Sequence, residues 1–287
     1  MAMKKIDLKK IWVVTTLLPL VNAVYAQDEL PYHLHDRGTG QPTSMFGTYI
    51  DKNELIIYPF FEYYHDRNAE YAPNEFGGQS DTDLRGKYSG KEALLFFGYG
   101  ITDRLAIELE AAYIDARFER SQDDPEVPGG IIEESGIGDV EGQIRWRWNK
   151  ETAKRPEFFS YFETVFPLQK EKQLIGTQEW ELKLGSGLVK GFTWGTMTVR
   201  LAMEYNTAEK VFEAGEFAVE YLKRVSSFFR FYVGVEGSQD EVEFITDLQF
   251  HLNRHIFIRV NNAFGVTSKA TDYAPEVGVL FKLNGTN

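Results

Sequence analysis

The side chains best suited to proton transfer in this 287-residue sequence are its five histidines, His33, His35, His65, His251 and His255. A serine hydrolase would need one of them within hydrogen-bond reach of a hydroxyl nucleophile. No Gly-x-Ser-x-Gly elbow and no His-x-Ser string occurs in the chain. His65-Asp66 would suit a protease at the rim of a larger structure, so a hydrolase stands as one reading. Cysteine is absent, which removes thiol chemistry, disulfides and lipid attachment at an N-terminal cysteine. His33-Leu34-His35-Asp36 offers metal-ligand types in a spacing that matches no metal motif. Asp123, Asp124, Glu126, Glu133 and Glu134 crowd one stretch that could hold divalent cations, although a solvated charge run is the commoner outcome. The expectation is therefore no catalytic residue, no metal and no cofactor.

Ionised residues at every second position carry more information. Over 137–148, Val140, Gly142, Ile144, Trp146 and Trp148 alternate with Asp139, Glu141, Gln143, Arg145 and Arg147. Slipping such a strand by one residue would exchange its two faces. The pattern returns in 104–118, where Glu108 and Glu110 oppose Leu105, Ile107 and Leu109, and in 178–189, where Glu181 and Lys183 oppose Trp180, Leu182 and Leu184. It returns again in 195–205 with Arg200 and Glu204, and in 242–252 with Asp247. Less regular segments at 54–65, 92–100, 157–166, 215–223, 228–236, 255–264 and 274–283 add Arg259 and Glu276 to the ionic set. The reading is about twelve strands, with no apolar stripe at helical spacing.

The links between these segments alternate in length. Short ones fall near 100–103, 191–194, 224–227 and 253–254, and longer ones at 66–91, 119–136, 167–177, 206–214, 237–241 and 265–273. Outer-membrane barrels place short turns in the periplasm and long loops outside. A soluble β-sandwich alternates too, but strands of about 9–12 residues match a tilted spanning strand better than the usual 5–6. Trp146, Trp148, Trp180, Trp194, Tyr205 and Tyr273 crowd strand ends, as interfacial girdles would. The fold class expected is an all-β, closed antiparallel transmembrane β-barrel. Its lumen would be lined by Glu108, Glu110, Asp139, Glu141, Arg145 and Arg147 on one side. Glu181, Lys183, Arg200, Glu204, Asp247, Arg259 and Glu276 would complete the lining.

The N-terminus gives the route. Lys4, Lys5, Lys9 and Lys10 precede the apolar run Ile11 to Val21 and then Val24-Tyr25-Ala26, the layout of a secretory signal peptide cut before Gln27. Residues 1–26 carry four lysines and one aspartate, so their removal takes the formal charge from -12 to -15. Nucleic acid is excluded as a partner, because no basic cluster survives that cut. Residues 27–52, with Pro31, Gly38, Gly40 and Pro42, form a periplasmic leader or a plug in the lumen, and 53–287 form the barrel.

Two short strings carry a family resemblance. Glu276-Val277-Gly278-Val279-Leu280-Phe281-Lys282-Leu283 resembles the C-terminal assembly signal of bacterial outer-membrane barrels, with Asn284 to Asn287 added after it. Ser135-Gly136-Ile137-Gly138-Asp139-Val140, with Gly98-Tyr99-Gly100-Ile101-Thr102-Asp103 as a short turn, resembles the outer-membrane proteins assigned to a phenol-degradation (meta) pathway over residues 90–150. The resemblance implies a transporter-like barrel that passes small organic molecules, inserted by the barrel-assembly machinery through its last strand. In the residues themselves, Gly136 and Gly138 would let the chain turn sharply into the sheet, with Asp139 pointing inward. The expected function is passive passage of a small solute, hydrophobic or aromatic ones included, in the outer membrane among its lipids and lipopolysaccharide. The alternative is a closed structural or adhesive barrel that binds a surface partner through its loops.

Overall fold

A computed structural model describes residues 30–177, 179–207, 210–238 and 241–284. The signal-peptide segment 1–26 lies outside the described residues. Two short strands, β1 (Gln41–Pro42) and β2 (Tyr49–Ile50), pair with each other within the segment that precedes the barrel. Twelve more strands follow, β3 (Glu54–Tyr71), β4 (Leu84–Gly100), β5 (Leu105–Glu119), β6 (Ile131–Asn149), β7 (Glu157–Phe166) and β8 (Glu181–Phe192). They continue as β9 (Gly195–Asn206), β10 (Val211–Arg224), β11 (Phe229–Ser238), β12 (Glu241–His251), β13 (Ile256–Gly265) and β14 (Tyr273–Asn284). Each pairs antiparallel with its neighbours, and β14 pairs with β3 through Glu276↔Glu62, Val277↔Phe61 and Phe281↔Ile57, which closes the barrel. Closure satisfies every strand edge, as hydrocarbon requires.

Alternation decides which side of each strand faces out. Along β5 the outward set is Leu105, Ile107, Leu109, Ala111 and Tyr113, opposite Tyr99, Phe97, Leu95 and Ala93 of β4. From Leu105 to Tyr113 the strand rises about 27 Å, or roughly 20 Å along the membrane normal at a tilt near 40°, close to the ~25 Å apolar band of such barrels. Above Tyr113 the same outward face turns polar, with Asp115, Arg117 and Glu119. Apolar residues therefore face outward, which excludes the sandwich, where they would pack between two sheets.

The strand number matches the expectation, but the strand lengths do not. β3, β4, β5 and β6 run to 18, 17, 15 and 19 residues, whereas β7, β11 and β13 have 10 each. The expected long links 66–91 and 119–136 shrink to 72–83 and 120–130, because their polar residues extend the sheet past the lipid instead of looping. Period two in charged residues on both faces has no hydrophobic contrast, so sequence patterning does not detect it.

The second correction concerns Gly136 and Gly138. They do not open a strand; they sit in the middle of β6, at an irregularity where Ala111 and Tyr113 of β5 face Val140 and Ile137. Gly136 has φ of +145°, and a Cβ on Gly138 would lie 2.8 Å from Cδ1 of Ile114. Both glycines therefore serve a β-bulge, which re-aims the next side chain, Asp139.

The interior is less uniformly ionic than expected. Ile56, Tyr58, Phe60, Leu94, Phe96, Phe257 and Leu280 form one buried apolar cluster inside the barrel with Ile50. Phe159, Tyr161, Val189, Leu222, Tyr232 and Ile245 form another with Tyr49. Gly278, the glycine of the C-terminal string, makes room for the first, since a Cβ there would meet the Tyr58 ring at 2.5 Å.

Candidate functional site: the barrel lumen

Residues 36–50 lie within the lumen, at the end of the barrel that carries the short turns, and 30–35 lie at its rim, where the Tyr32 hydroxyl donates to the Ala153 carbonyl. Arg37 is held between Glu151 at 3.1 Å and Glu157 at 3.0 Å, and all three side chains are almost fully buried. Arg147 joins them, bonding Glu157 at 3.3 Å and donating to the Thr39 carbonyl at 3.1 Å. Arg145 pairs with Glu108 at 3.3 Å, donates to the Pro42 carbonyl and stacks over the Tyr161 ring at 4.9 Å. Glu108 in turn accepts the Ser44 backbone N–H at 2.9 Å. On the other side, Asp36 accepts the Arg224 N–H at 2.9 Å and Arg230 donates to the Asp36 carbonyl. His33 and Asp36 are thus buried in packed structure, His33 against Gly191.

A further ionic pair completes this lower layer. Arg259 pairs with Asp247 at 2.9 Å, with neither side chain exposed, and Gln249 donates to the same carboxylate at 2.7 Å. Glu276 accepts from Asn261 at 2.7 Å and from the Tyr58 hydroxyl. In a low-dielectric interior each such charge needs its partner, and removing one would strand the other.

Above residues 44–46 the lumen opens. Ser44 and Phe46 form the floor of a cavity of about 250 Å³ walled by Glu141, Glu163, Glu181, Lys183, Arg200 and Glu204, with Glu216 and Glu236. Lys183 bridges Glu163 at 2.9 Å and Glu216 at 2.6 Å, and Arg200 bridges Glu220 at 2.7 Å and Glu236 at 3.1 Å. A second space of about 340 Å³ continues past Glu62, Glu92, Glu110 and Ala112 to Ile175 and Thr177. Glu110, Glu181 and Glu204 are half-buried, while Glu141 is exposed to the cavity.

Asp139 has a different setting. It accepts the backbone N–H groups of Leu168 at 2.6 Å and Gln169 at 2.8 Å, and both the N–H and hydroxyl of Thr177. Glu134 likewise accepts from Gln173 and Leu174. These two carboxylates hold segment 167–177 against the part of β6 that rises beyond the end of β7, with Ile175 packed near the bulge at Gly136 and Gly138.

Of the aromatic residues named from sequence, Trp146 and Trp148 pack edge to face on the short-turn side, and Trp194 stacks on Phe192 and Tyr221 there. Trp180 meets Phe166, Tyr205 meets Phe212 and Tyr273 meets His65 on the opposite side. His65 therefore belongs to an outward aromatic cluster. Among the described residues no hydrogen bond joins a histidine ring to a serine hydroxyl, and no three acidic or histidine side chains are placed to hold a metal.

Sequence reasoning missed Arg37, Glu151 and Glu157, which lie outside any long alternating run, and Glu163, Glu216, Glu220 and Glu236. Glu163 was obscured because Phe159 and Tyr161 share its inward face with an apolar character like that of the outward one.

No protein-family model matches the sequence, and no curated protein does. Among solved structures, the COG4313 outer membrane channel from Pseudomonas putida F1 superposes with a TM-score of 0.60 at 11% identity, covering 84% of this chain and 99% of that chain. The toluene transporter TbuX of Ralstonia pickettii gives 0.44 at 8% identity, covering 83% and 90%. The translocator domain of the autotransporter NalP from Neisseria meningitidis gives 0.44 at 9%, covering 81% and 89%. The first is a likeness of fold, and the other two are too loose to bear on it. With its closed twelve-strand wall, outward apolar band and this fold likeness, the chain has the fold of an outer-membrane β-barrel.

Proposed function

We propose that this chain is a passive outer-membrane channel for small solutes, with residues 30–50 acting as a plug in its periplasmic half. The observation that carries the reading is the open, charged cavity directly above Ser44 and Phe46. Ionised walls hold water, and a twelve-strand barrel lies between those filled by side chains and those with a wide pore. Eleven of the thirteen predicted lining residues, all but Asp139 and Glu276, act in two groups. Arg145, Arg147, Glu108, Asp247 and Arg259 seat the plug, while Glu110, Glu141, Glu181, Lys183, Arg200 and Glu204 meet the solute. Met45, Phe96 and Gly142 give the cavity above Glu108 an apolar side. That wall suits a hydrophobic or aromatic solute, the class implied by the resemblance to the phenol-pathway barrels through Gly136, Gly138 and Asp139. The paired aromatics at the two ends serve as girdles, and the last strand as the assembly signal.

The closed-barrel alternative draws on the density of contacts made by residues 30–50. Planar-bilayer recording separates the two. The full chain should conduct weakly, and a variant lacking residues 30–50, shown to be folded by heat-modifiable gel mobility, should conduct several-fold more. Silence from both folded proteins would leave only the structural barrel.

A further inference from the structure

The outer wall changes character between two adjacent rows of the β3–β6 ladder. Phe61, Ala93, Tyr113 and Ile137 form the last apolar row, and Tyr63, Lys91, Asp115 and Ser135 form the next. One row higher stand His65, Ser89, Arg117 and Glu133. The hydrocarbon boundary therefore falls at the first of these rows, and the next two rise through the headgroup layer. They lie on the long-link side, the extracellular side of the barrel, where the leaflet is lipopolysaccharide.

A recess of about 510 Å³ opens on this wall, bordered by Tyr63, Ser89, Lys91, Arg117 and Ser135, with the acids Asp115, Glu133 and Glu134 beside them. Arg117 pairs with Glu133, and Lys87, two rows above Lys91, pairs with Glu119 at 3.0 Å. Lys91 is exposed and has no ion-pair partner among the described residues. Lys91 stands across the ladder from Asp115 without an ion pair to it, and an unbonded ammonium at the edge of hydrocarbon attracts an anionic headgroup. From β3 to β6 there are three strand spacings of about 4.8 Å, so the recess is about 14 Å wide. That width fits a phosphorylated disaccharide better than the single phosphate of a glycerophospholipid.

We propose that this recess binds the lipid A headgroup of lipopolysaccharide. Lys91 takes a phosphate as its charge-assisted donor, and Arg117 supplies the second cation. The hydroxyls of Tyr63, Ser89 and Ser135 face the sugar. Asp115 and Glu133 would repel a bare phosphate, and they meet the divalent counter-ions that such phosphates carry. The inference rests on the chain being an outer-membrane barrel and is independent of whether it conducts.

The test uses the full chain in detergent with magnesium present, titrated in native mass spectrometry with rough lipopolysaccharide, with the same lipid after enzymatic dephosphorylation, and with phosphatidylglycerol. The intact lipopolysaccharide should bind best. Lys91→Ala with Arg117→Ala should weaken it about tenfold, and Lys91→Arg should leave it near wild type. If the double variant loses its heat-modifiable shift, Lys91→Gln alone, at an exposed position, carries the same reading with a loss of about fivefold. Equal binding by a folded Lys91→Gln variant, or equal binding of phosphatidylglycerol by the wild type, overturns the proposal. Lys91→Gln should conduct as the wild type does, so loss of the lipid site and failure of the channel reading are distinguishable.

Discussion

At the scale of single residues, Arg37 ties the segment that precedes β3 to the barrel wall. Its guanidinium reaches Glu151 and Glu157 and lies 5.1 Å from the centre of the Tyr49 ring, so one side chain ties the leader to the turn after β6 and to the start of β7. Truncating one partner of a buried ionic cluster costs about 3–5 kcal/mol, because the remaining charges stay buried. Arg37→Ala should therefore loosen residues 30–50 while the barrel stays closed. In planar bilayers it should raise conductance toward that of the leaderless variant, and Arg37→Lys should do so less, since an ammonium keeps a positive charge between the two carboxylates. A variant as quiet as the wild type would show that the apolar contacts of Tyr49 and Ile50 alone seat the plug. Arg145, Arg147 and Asp247 sit in alternating segments of the sequence, where period two assigns a face, and Arg259 in a less regular one. Arg37 was not legible there, since the leader has no period, and only the closed barrel brings it to residues more than a hundred positions away.

At the scale of elements, β6 connects the wall to the loop that borders the upper lumen. The bulge at Gly138 turns Asp139 toward segment 167–177, where it accepts hydrogen bonds from three residues. Asp139→Ala should free that segment without opening the barrel. Limited trypsin digestion, read at Lys170 and Lys172, should then be about tenfold faster than in the wild type, a loss of the order expected for charge-assisted bonds. Unchanged cleavage would mean that Glu134 and Ile175 suffice. The motif was legible as glycines followed by an inward acid, but not as a bulge, because register irregularities arise from the partner strand. The link 120–130 gives a second expectation. Asp124 accepts the backbone N–H groups of Val127 and Glu126, with the Tyr71 hydroxyl and Arg120 adding to them, and its carboxyl is held below the usual carboxylate range. The ionised form thus contributes stability that is fully present above the unfolded aspartate value of about 3.9. That stability is lost as pH falls through the lower folded value. Amide exchange in 121–130, corrected for intrinsic rate, should accelerate below about pH 4 while β12 and β13 stay protected, and Asp124→Asn should abolish the pH dependence. Parallel acceleration of the strands would place the acid-sensitive step in the barrel instead.

At the scale of the whole molecule, charge is layered along the barrel axis. The lower layer, around residues 30–50, is cross-paired, with Arg37, Arg145, Arg147 and Arg259 each matched to an acid. The cavity above it is not balanced, since Lys183 and Arg200 face Glu141, Glu163, Glu181, Glu204, Glu216 and Glu236. The chain's formal charge of -12 agrees in sign but locates nothing; only closure of the barrel gathers these carboxylates around one space. A confined pathway with low-dielectric walls focuses the field of its fixed charges. Once the plug is removed, small cations should therefore permeate more readily than anions of similar size. In a leaderless barrel under a potassium chloride gradient, the reversal potential should have the sign of potassium preference. Glu181→Gln together with Glu204→Gln should move it toward zero, since neither carboxylate is bonded to Lys183 or Arg200. A reversal potential of the opposite sign would mean that the ammonium of Lys183 and the guanidinium of Arg200 meet the permeating ion first, and that the surplus carboxylates stand away from its path.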